Sequence, residues 1–366
     1  MRSLSVLMRL LAFAIALALA APATAQTRTY YIAADEVIWN YAPSGMDKIM
    51  GEPLPKTPPT FVGNSYKKAI YQEYTDATFT QLKPRPAEWQ HLGMLGPVIR
   101  AEVGDTIKVV FKNKAHHPYS IHPHGVLYLK DSEGAPYADG VPNSQKGGDS
   151  VAPGATYTYT WQVPERSGPG PNDLSSVVWL YHSHASEISD IAAGLLGPII
   201  VTRKGEANPD GSPKGVDREF ITMFSVDDEN RSIYYDDNIA KFVKNTSLVP
   251  KGQMRSYPFQ PFYLSNEVMS INGLTAGNLS GLTMKQGDHV RWYLMSDASD
   301  DFNFHVVHWH GETVLYNGNR TDMVELSPAS FRVVDMVPDN PGTWWYHCHV
   351  GAHMMFGMSA LFTVLR

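Results

Sequence analysis

The chain has 366 residues, a formal net charge of −6, 43% hydrophobic residues and a single cysteine. That length suits two domains of ordinary size, with apolar content enough for a core in each. The acidic balance excludes a nucleic-acid-binding face, which needs clustered positive charge, and one cysteine excludes an internal disulfide.

Residues 1–25 read as a secretory signal peptide. Arg2 and Arg9 give a positive start, Leu10 to Ala21 is apolar, and Ala23-Thr24-Ala25 forms an A-x-A cleavage site before Gln26. The apolar run is short for a bilayer span and no other stretch could serve. The mature chain is therefore expected to be exported, periplasmic or secreted, with no membrane anchor after cleavage. In an oxidising compartment a free cysteine is a liability unless a metal occupies it.

The 26 Pro and 29 Gly are spread along the chain. Short Val-, Ile-, Tyr- and Thr-rich runs lie between them, which predicts an all-β fold. Expected strands are Thr29 to Trp39, Tyr66 to Phe79, Val98 to Ala101, Thr106 to Asn113, Thr156 to Val163, Val177 to His184 and Leu195 to Thr202. Ala42 to Pro59 reads as a long loop. Residues 26–205 form the first domain, polar residues 206–217 a linker, and residues 218–366 the second domain.

The second unit repeats the first. Gln286-Gly287-Asp288 with the His289 to Leu294 strand repeats Val103-Gly104-Asp105 with its strand. Ser330 to Val337 repeats the Thr156 strand. His305-Val306-Val307-His308-Trp309-His310-Gly311 stands where His122-Pro123-His124-Gly125 stands. Trp344-Trp345-Tyr346-His347-Cys348-His349 stands where Trp179-Leu180-Tyr181-His182-Ser183-His184 stands. Both halves are thus one β-sandwich design. Ser183 takes the place of Cys348, and Leu195 stands near the place of Met358.

Cys348 sits between two histidines, with His353 and Met358 following. A thiolate, imidazoles and a thioether together suit a soft redox metal, and two His, one Cys and a weak axial Met make a blue-copper site. Side chains alternate along a strand, so His347 and His349 face away from Cys348, free to hold a second metal centre behind it. Ten of the 14 histidines fall in four such motifs. His91, His116, His117 and His289 lie outside them and read as structural or surface residues.

The order H-x-H-G, H-x-H, H-x-x-H-x-H, H-C-H-x-x-x-H-x-x-x-x-M resembles the multicopper oxidases over nearly the whole mature chain. The resemblance implies two cupredoxin-like Greek-key β-sandwich domains. It implies copper as cofactor, four ions per active unit. By position, His305, Cys348, His353 and Met358 match type 1 ligands. His122 and His308 match type 2 ligands. His124, His182, His184, His310, His347 and His349 match the type 3 pair. Tyr31 to Ala34, Tyr71 to Phe79 and Trp292-Tyr293-Leu294 resemble the ceruloplasmin group, and the two-domain economy resembles the small laccases. Asp322 and Tyr128 match an acid and a tyrosine that two-domain laccases keep near the type 2 copper. Asp139, in the loop after H-x-H-G, is a further candidate proton donor.

The activity this implies is one-electron oxidation of phenols or aromatic amines, with O2 reduced to water. The alternative is a metal-ion oxidase acting on Fe(II) or Cu(I). In ceruloplasmin-type ferroxidases a Glu and a His precede an Asn-Gly turn, and an Asp precedes the second type 1 His. Leu264, Met269 and Ala352 stand there, with Glu267 close by. Met354 and Met355 read as packing residues. A copper nitrite reductase, a remoter alternative, carries its blue copper in the first domain and has too few histidines. The trinuclear ligands are split between the two domains and the linker is short. Six cupredoxin domains close the ceruloplasmin ring, so three copies of this chain are expected to form a homotrimer with clusters between subunits.

Overall fold

The structure, a computed structural model, describes residues 25–249, 261–297 and 303–366. Apart from Ala25, the expected signal peptide lies outside the described residues. Among them, no helix is long and apolar enough to cross a membrane.

Strands form where apolar and polar side chains alternate. In Thr106–Asn113, Ile107, Val109 and Phe111 are fully buried, while Lys108 turns to solvent. Two sheets enclose the first core. One runs in the order Ser65–Tyr74, Thr27–Asn40, Thr106–Asn113, Thr156–Gln162, Leu127–Tyr128; the other runs Ile99–Glu102, Leu196–Thr202, Ser176–His182, His122–Pro123. The second half repeats this plan. Its first sheet runs Glu267–Ile271, Arg218–Asp228, Val290–Ser296, Phe331–Met336, then Val314–Tyr316 and Asn319–Thr321. Its second sheet runs Thr283–Lys285, Ser359–Leu365, Gly342–Cys348, His305–Trp309, Met323–Leu326. The parallel pairing of Thr27–Ala34 with Thr106–Asn113 recurs as Arg218–Phe224 with Val290–Ser296. Each sandwich has its own buried core.

A third apolar cluster lies between the sandwiches. Leu92, Leu95, Val178, Leu180 and Ile200 meet Ile221, Met223, Tyr293 and Met295. The buried guanidinium of Arg100 makes a two-pronged pair with Glu219, at 3.1 and 2.7 Å, which also accepts from Tyr293 Oη at 2.8 Å. A second buried cation, Lys68, pairs with Glu229 across the same boundary. The two repeats therefore sit side by side through an apolar face with paired charges.

Local chemistry shifted some expected boundaries. The strand expected through Phe79 stops at Tyr74, because Asp76 Oδ1 accepts from Thr78 N at 2.8 Å and turns the chain. The Ala42 to Pro59 loop carries a short hairpin, Met46–Asp47 with Glu52–Pro53. It docks on the second domain, where Lys48 N donates to Ala276 O at 2.9 Å. The strand expected through His184 ends at His182, and the helix Glu187–Ala193 follows. Seven residues hold too few turns to show a helical period.

Candidate metal centre

The Gly342–Cys348 and His305–Trp309 strands pair with Val307 opposite Cys348 and His308 opposite His347. This register puts Cys348 inside the second core and His347 on the opposite face. Cys348 Sγ lies 3.8 Å from His305 Nδ1 and 3.6 Å from His353 Nδ1, and those two nitrogens are 3.2 Å apart. The helix Gly351–Met355 brings His353 back over the cysteine. Met358 is fully buried in the same core, and its N–H donates to His353 O at 2.9 Å. A thiol and two imidazoles converging in an apolar core that also holds a methionine fit copper. Burial pushes the Cys348 thiol up and holds His305 neutral, down to about 3. The neutral imidazole is the ligand form.

Two further clusters carry the remaining histidines. His122, His124 and His182 converge in the first domain, and His308, His310 and His347 in the second. His184 and His349 stack at their edges, 5.2 Å from His122 and 5.3 Å from His308. The two clusters are built alike. His122 Nδ1 donates to Glu133 O at 2.7 Å, and His308 Nδ1 to Asp322 O at 2.9 Å. His182 Nδ1 donates to Ser183 O at 3.0 Å, and His347 Nδ1 to Cys348 O at 2.8 Å. Each backbone carbonyl fixes the tautomer and leaves Nε2 free for a metal. The Nε2 atoms of His124 and His182 are 3.1 Å apart, as are those of His310 and His347. Burial first, then the neighbouring imidazoles, lowers His124 to about 4 and His182 to about 3. Among the described residues, ring contacts run within each set, and none joins one set to the other. Each domain thus presents its own histidine set in an open cleft.

Of the expected proton donors, Asp322 Oδ2 lies 3.7 Å from His308 Nδ1. The Tyr128 ring is 5.8 Å from that of His122. Asp139 is placed differently. Lys146 holds its carboxylate at 2.5 Å and Lys130 at 3.2 Å, depressing its pKa, and it serves the loop rather than a histidine. Met355 is 76% exposed, so it is no packing residue. His91 bridges the domains: Nδ1 donates to Glu88 O and Nε2 accepts from Ile221 N.

Two residues near the ligands escaped the sequence reading. Asn303 accepts from His305 Nε2 at 3.2 Å and from Val226 N at 2.8 Å, which orients a type 1 imidazole. Its signal was its place two residues before His305. Trp345 stacks on His347 with ring centroids 4.3 Å apart.

Two family models, both described as multicopper oxidase, match residues 73–206 and 244–366. Mouse hephaestin is 42% identical over 93% of this chain and 29% of its own length. Mouse Ferroxidase HEPHL1 is 41% identical over 93% of this chain and 29% of its own length. Sheep ceruloplasmin is 43% identical over 92% of this chain and 32% of its own length. The chain thus spans about a third or less of the curated relatives it matches. The solved multicopper oxidase mgLAC shares the fold, with a TM-score of 0.59 at 20% identity over 93% of this chain and 86% of that one. A copper nitrite reductase from Nitrosomonas europaea also shares it, at 0.58 and 16% over 93% and 94%. The matched segments together span most of the chain and carry all ten of the histidines in the three clusters. Copper is the cofactor that this donor set fits, and the chain belongs to the multicopper oxidase family.

Proposed function

We propose that the chain couples one-electron oxidation of a metal ion, Fe(II) or Cu(I), at the His305–Cys348–His353 site to reduction of O2 to water. The reduction takes place at a trinuclear cluster completed between neighbouring chains of a homotrimer. The observation carrying the substrate assignment is the 41% identity, along 93% of this chain, to a protein named a ferroxidase. That favours a metal ion over phenols as the electron donor.

Copper would supply the one-electron redox chemistry. The protein's part is placement. His347, Cys348 and His349 are successive residues of one segment, so a single stretch of backbone joins the type 1 ligand to two type 3 ligands. The carbonyls of Glu133, Asp322, Ser183 and Cys348 aim four imidazoles. Reduction of O2 consumes protons, and the Asp322 carboxylate, about half exposed beside His308, can carry them from solvent. Asp322→Asn is therefore expected to slow oxygen reduction about 100-fold, within the range for a positioned acid–base group, while leaving type 1 reduction unchanged. Stopped-flow measurement of the two half-reactions checks this, and equal slowing of both would argue against a proton role.

A second reading, oxidation of phenols or aromatic amines, is favoured by the edge of the His353 helix and by what stands at three positions matching ferroxidase ligands. Leu264, Met269 and Ala352 offer no oxygen donor to a hard metal ion such as Fe(II). Met355 and Phe356, 76% and 69% exposed, give that edge an apolar surface suited to an aromatic ring. Steady-state oxygen uptake with Fe(II), Cu(I) and a simple phenol decides between them. A larger kcat/KM for either metal ion is expected. A larger kcat/KM for the phenol would make the second reading the correct one.

A further inference from the structure

In the second domain, Cys348 N donates to Met358 O and Met358 N to His353 O. In the first, Ser183 N donates to Leu195 O and Leu195 N to Asp190 O. Tyr119 precedes His122 by three residues, as His305 precedes His308. The four type 1 positions, His305, Cys348, His353 and Met358, thus correspond to Tyr119, Ser183, Asp190 and Leu195. The sequence alone does not align Asp190 with His353, because the first-domain segment is two residues longer.

Asp190 is fully buried on the helix Glu187–Ala193. Its Oδ2 accepts from Ser183 Oγ at 2.7 Å and from Ser186 N at 2.8 Å. Its Oδ1 is buried with no hydrogen-bond partner among the described residues. Ser183 Oγ in turn accepts from Ser120 N at 3.1 Å. Ser120 Oγ accepts from His184 N at 2.9 Å and donates to Gly134 O at 2.7 Å. Gly134 follows Glu133, whose carbonyl holds His122. Behind the helix, Lys68 Nζ donates to Ala192 O at 2.9 Å and pairs with Glu229 of the second domain.

We propose that Asp190 and Ser183 form a metal-free clamp in the place of the type 1 copper link, positioning His122, His182 and His184 for the trinuclear cluster. In the second domain, a metal held by Cys348 and His353 would tie the end of the Gly342–Cys348 strand to its helix. In the first domain the Ser183–Asp190 hydrogen bond makes the same tie, between the same two elements. It acts on the ligands from both sides: Ser183 sits between His182 and His184, and Ser120 carries the link to the His184 amide and the Glu133–Gly134 segment. A burial cost is accepted for it, since a carboxylate oxygen with no partner is unfavourable in a core that could have held an apolar residue. Asp190 and Ser183 are positioning residues; neither is placed to touch copper.

The clamp rests on the trinuclear reading proposed above, and the test separates the two. Holoenzyme carrying Ser183→Ala or Asp190→Ala is compared with wild type by total copper, by the blue type 1 absorption, and by the near-ultraviolet band and paramagnetic signal of the cluster. The variants are expected to keep their type 1 copper. They are also expected to lose cluster copper to a chelator at a concentration about 10- to 100-fold lower than wild type, the scale for loss of an outer-shell partner. Asp190→Asn keeps an acceptor for Ser183 Oγ and Ser186 N and is expected to retain the cluster. A general loss of fold would remove both copper classes together, so the type 1 band serves as the internal reference. If Asp190→Ala does not fold, Ser183→Ala decides, because it removes one hydroxyl. Unchanged cluster copper in a folded Ser183→Ala variant would overturn the clamp alone. Wild type holding no copper beyond type 1 would overturn the cluster reading, and the clamp with it.

Discussion

Cys348→Ser is expected to abolish the blue absorption and to lower substrate oxidation by more than about 100-fold, beyond the loss usual for a mere outer-shell residue, while the chain still folds. The colour requires a thiolate ligand, and Cys348 is the chain's one source of it. Oxidation fails for the same reason, since electrons enter through the metal that this sulfur holds. The fold should survive because the new hydroxyl is nearly the size of the thiol and has partners at hand. The Nδ1 atoms of His305 and His353 lie 3.8 and 3.6 Å from Sγ. A buried hydroxyl with a hydrogen bond costs about 1 kcal/mol or less relative to a well-packed apolar group, whereas an unsatisfied one costs about 1–3 kcal/mol. The first domain already carries Ser183 at this position, fully buried and hydrogen-bonded. Absorption spectroscopy, with circular dichroism as the control for folding, checks the result; an intense blue band surviving in the variant would defeat the type 1 assignment.

The second large effect concerns assembly. Two inactive variants, one lacking His122 and His124, the other lacking His308 and His310, are expected to regain activity when refolded together. Each histidine set converges within its own domain, and among the described residues no ring contact links one set to the other. Under the arrangement proposed above, a full cluster takes the first domain of one chain and the second domain of a neighbour. Such head-to-tail contacts close into a ring when the rotation permits, and three two-domain chains supply the six domains of that ring. In a random equal mixture, a given interface has about a one-in-four chance of pairing two intact halves, so recovery should approach about a quarter of wild-type activity. Metal bonds across the proposed interface would also link copper to assembly, so chelation is expected to loosen the proposed trimer. Activity assays on the co-refolded mixture, with light scattering on each pure protein, measure both effects. Clusters held within single chains would give no recovery, and a fully active monomer would refute the shared-cluster arrangement outright.

Local pattern was enough for much of this. Alternation of apolar residues showed the strands, because one face of each is buried and the other is not. The Thr106–Asn113 strand was legible to the residue. The candidate copper ligands stood out because their chemistry is scarce: one cysteine flanked by histidines, followed by His353 and Met358, leaves few other uses for those side chains. The internal repeat then showed which positions correspond. Asp322 and Tyr128 were named from the resemblance to two-domain laccases; Asp322 Oδ2 lies 3.7 Å from His308 Nδ1 and the Tyr128 ring 5.8 Å from that of His122.

What sequence spacing did not carry was direction and partnership across distance. Asp139 had the right loop for a proton donor, yet two lysines claim its carboxylate; ion pairing between residues seven and nine apart in a loop has no periodic signature. The helix Glu187–Ala193 was too short to show a period, and it hid the equivalence of Asp190 with His353. Composition and local pattern by themselves determined the all-β class and the two-fold repeat and singled out the candidate copper ligands, since each of these depends on residue type and short-range alternation. Tertiary structure alone decided that Lys130 and Lys146 claim the Asp139 carboxylate and that the Asp190 carboxylate closes on Ser183 in the first core. Both depend on which segments pack together, and packing is set by long-range burial and hydrogen-bond register rather than by neighbours along the chain.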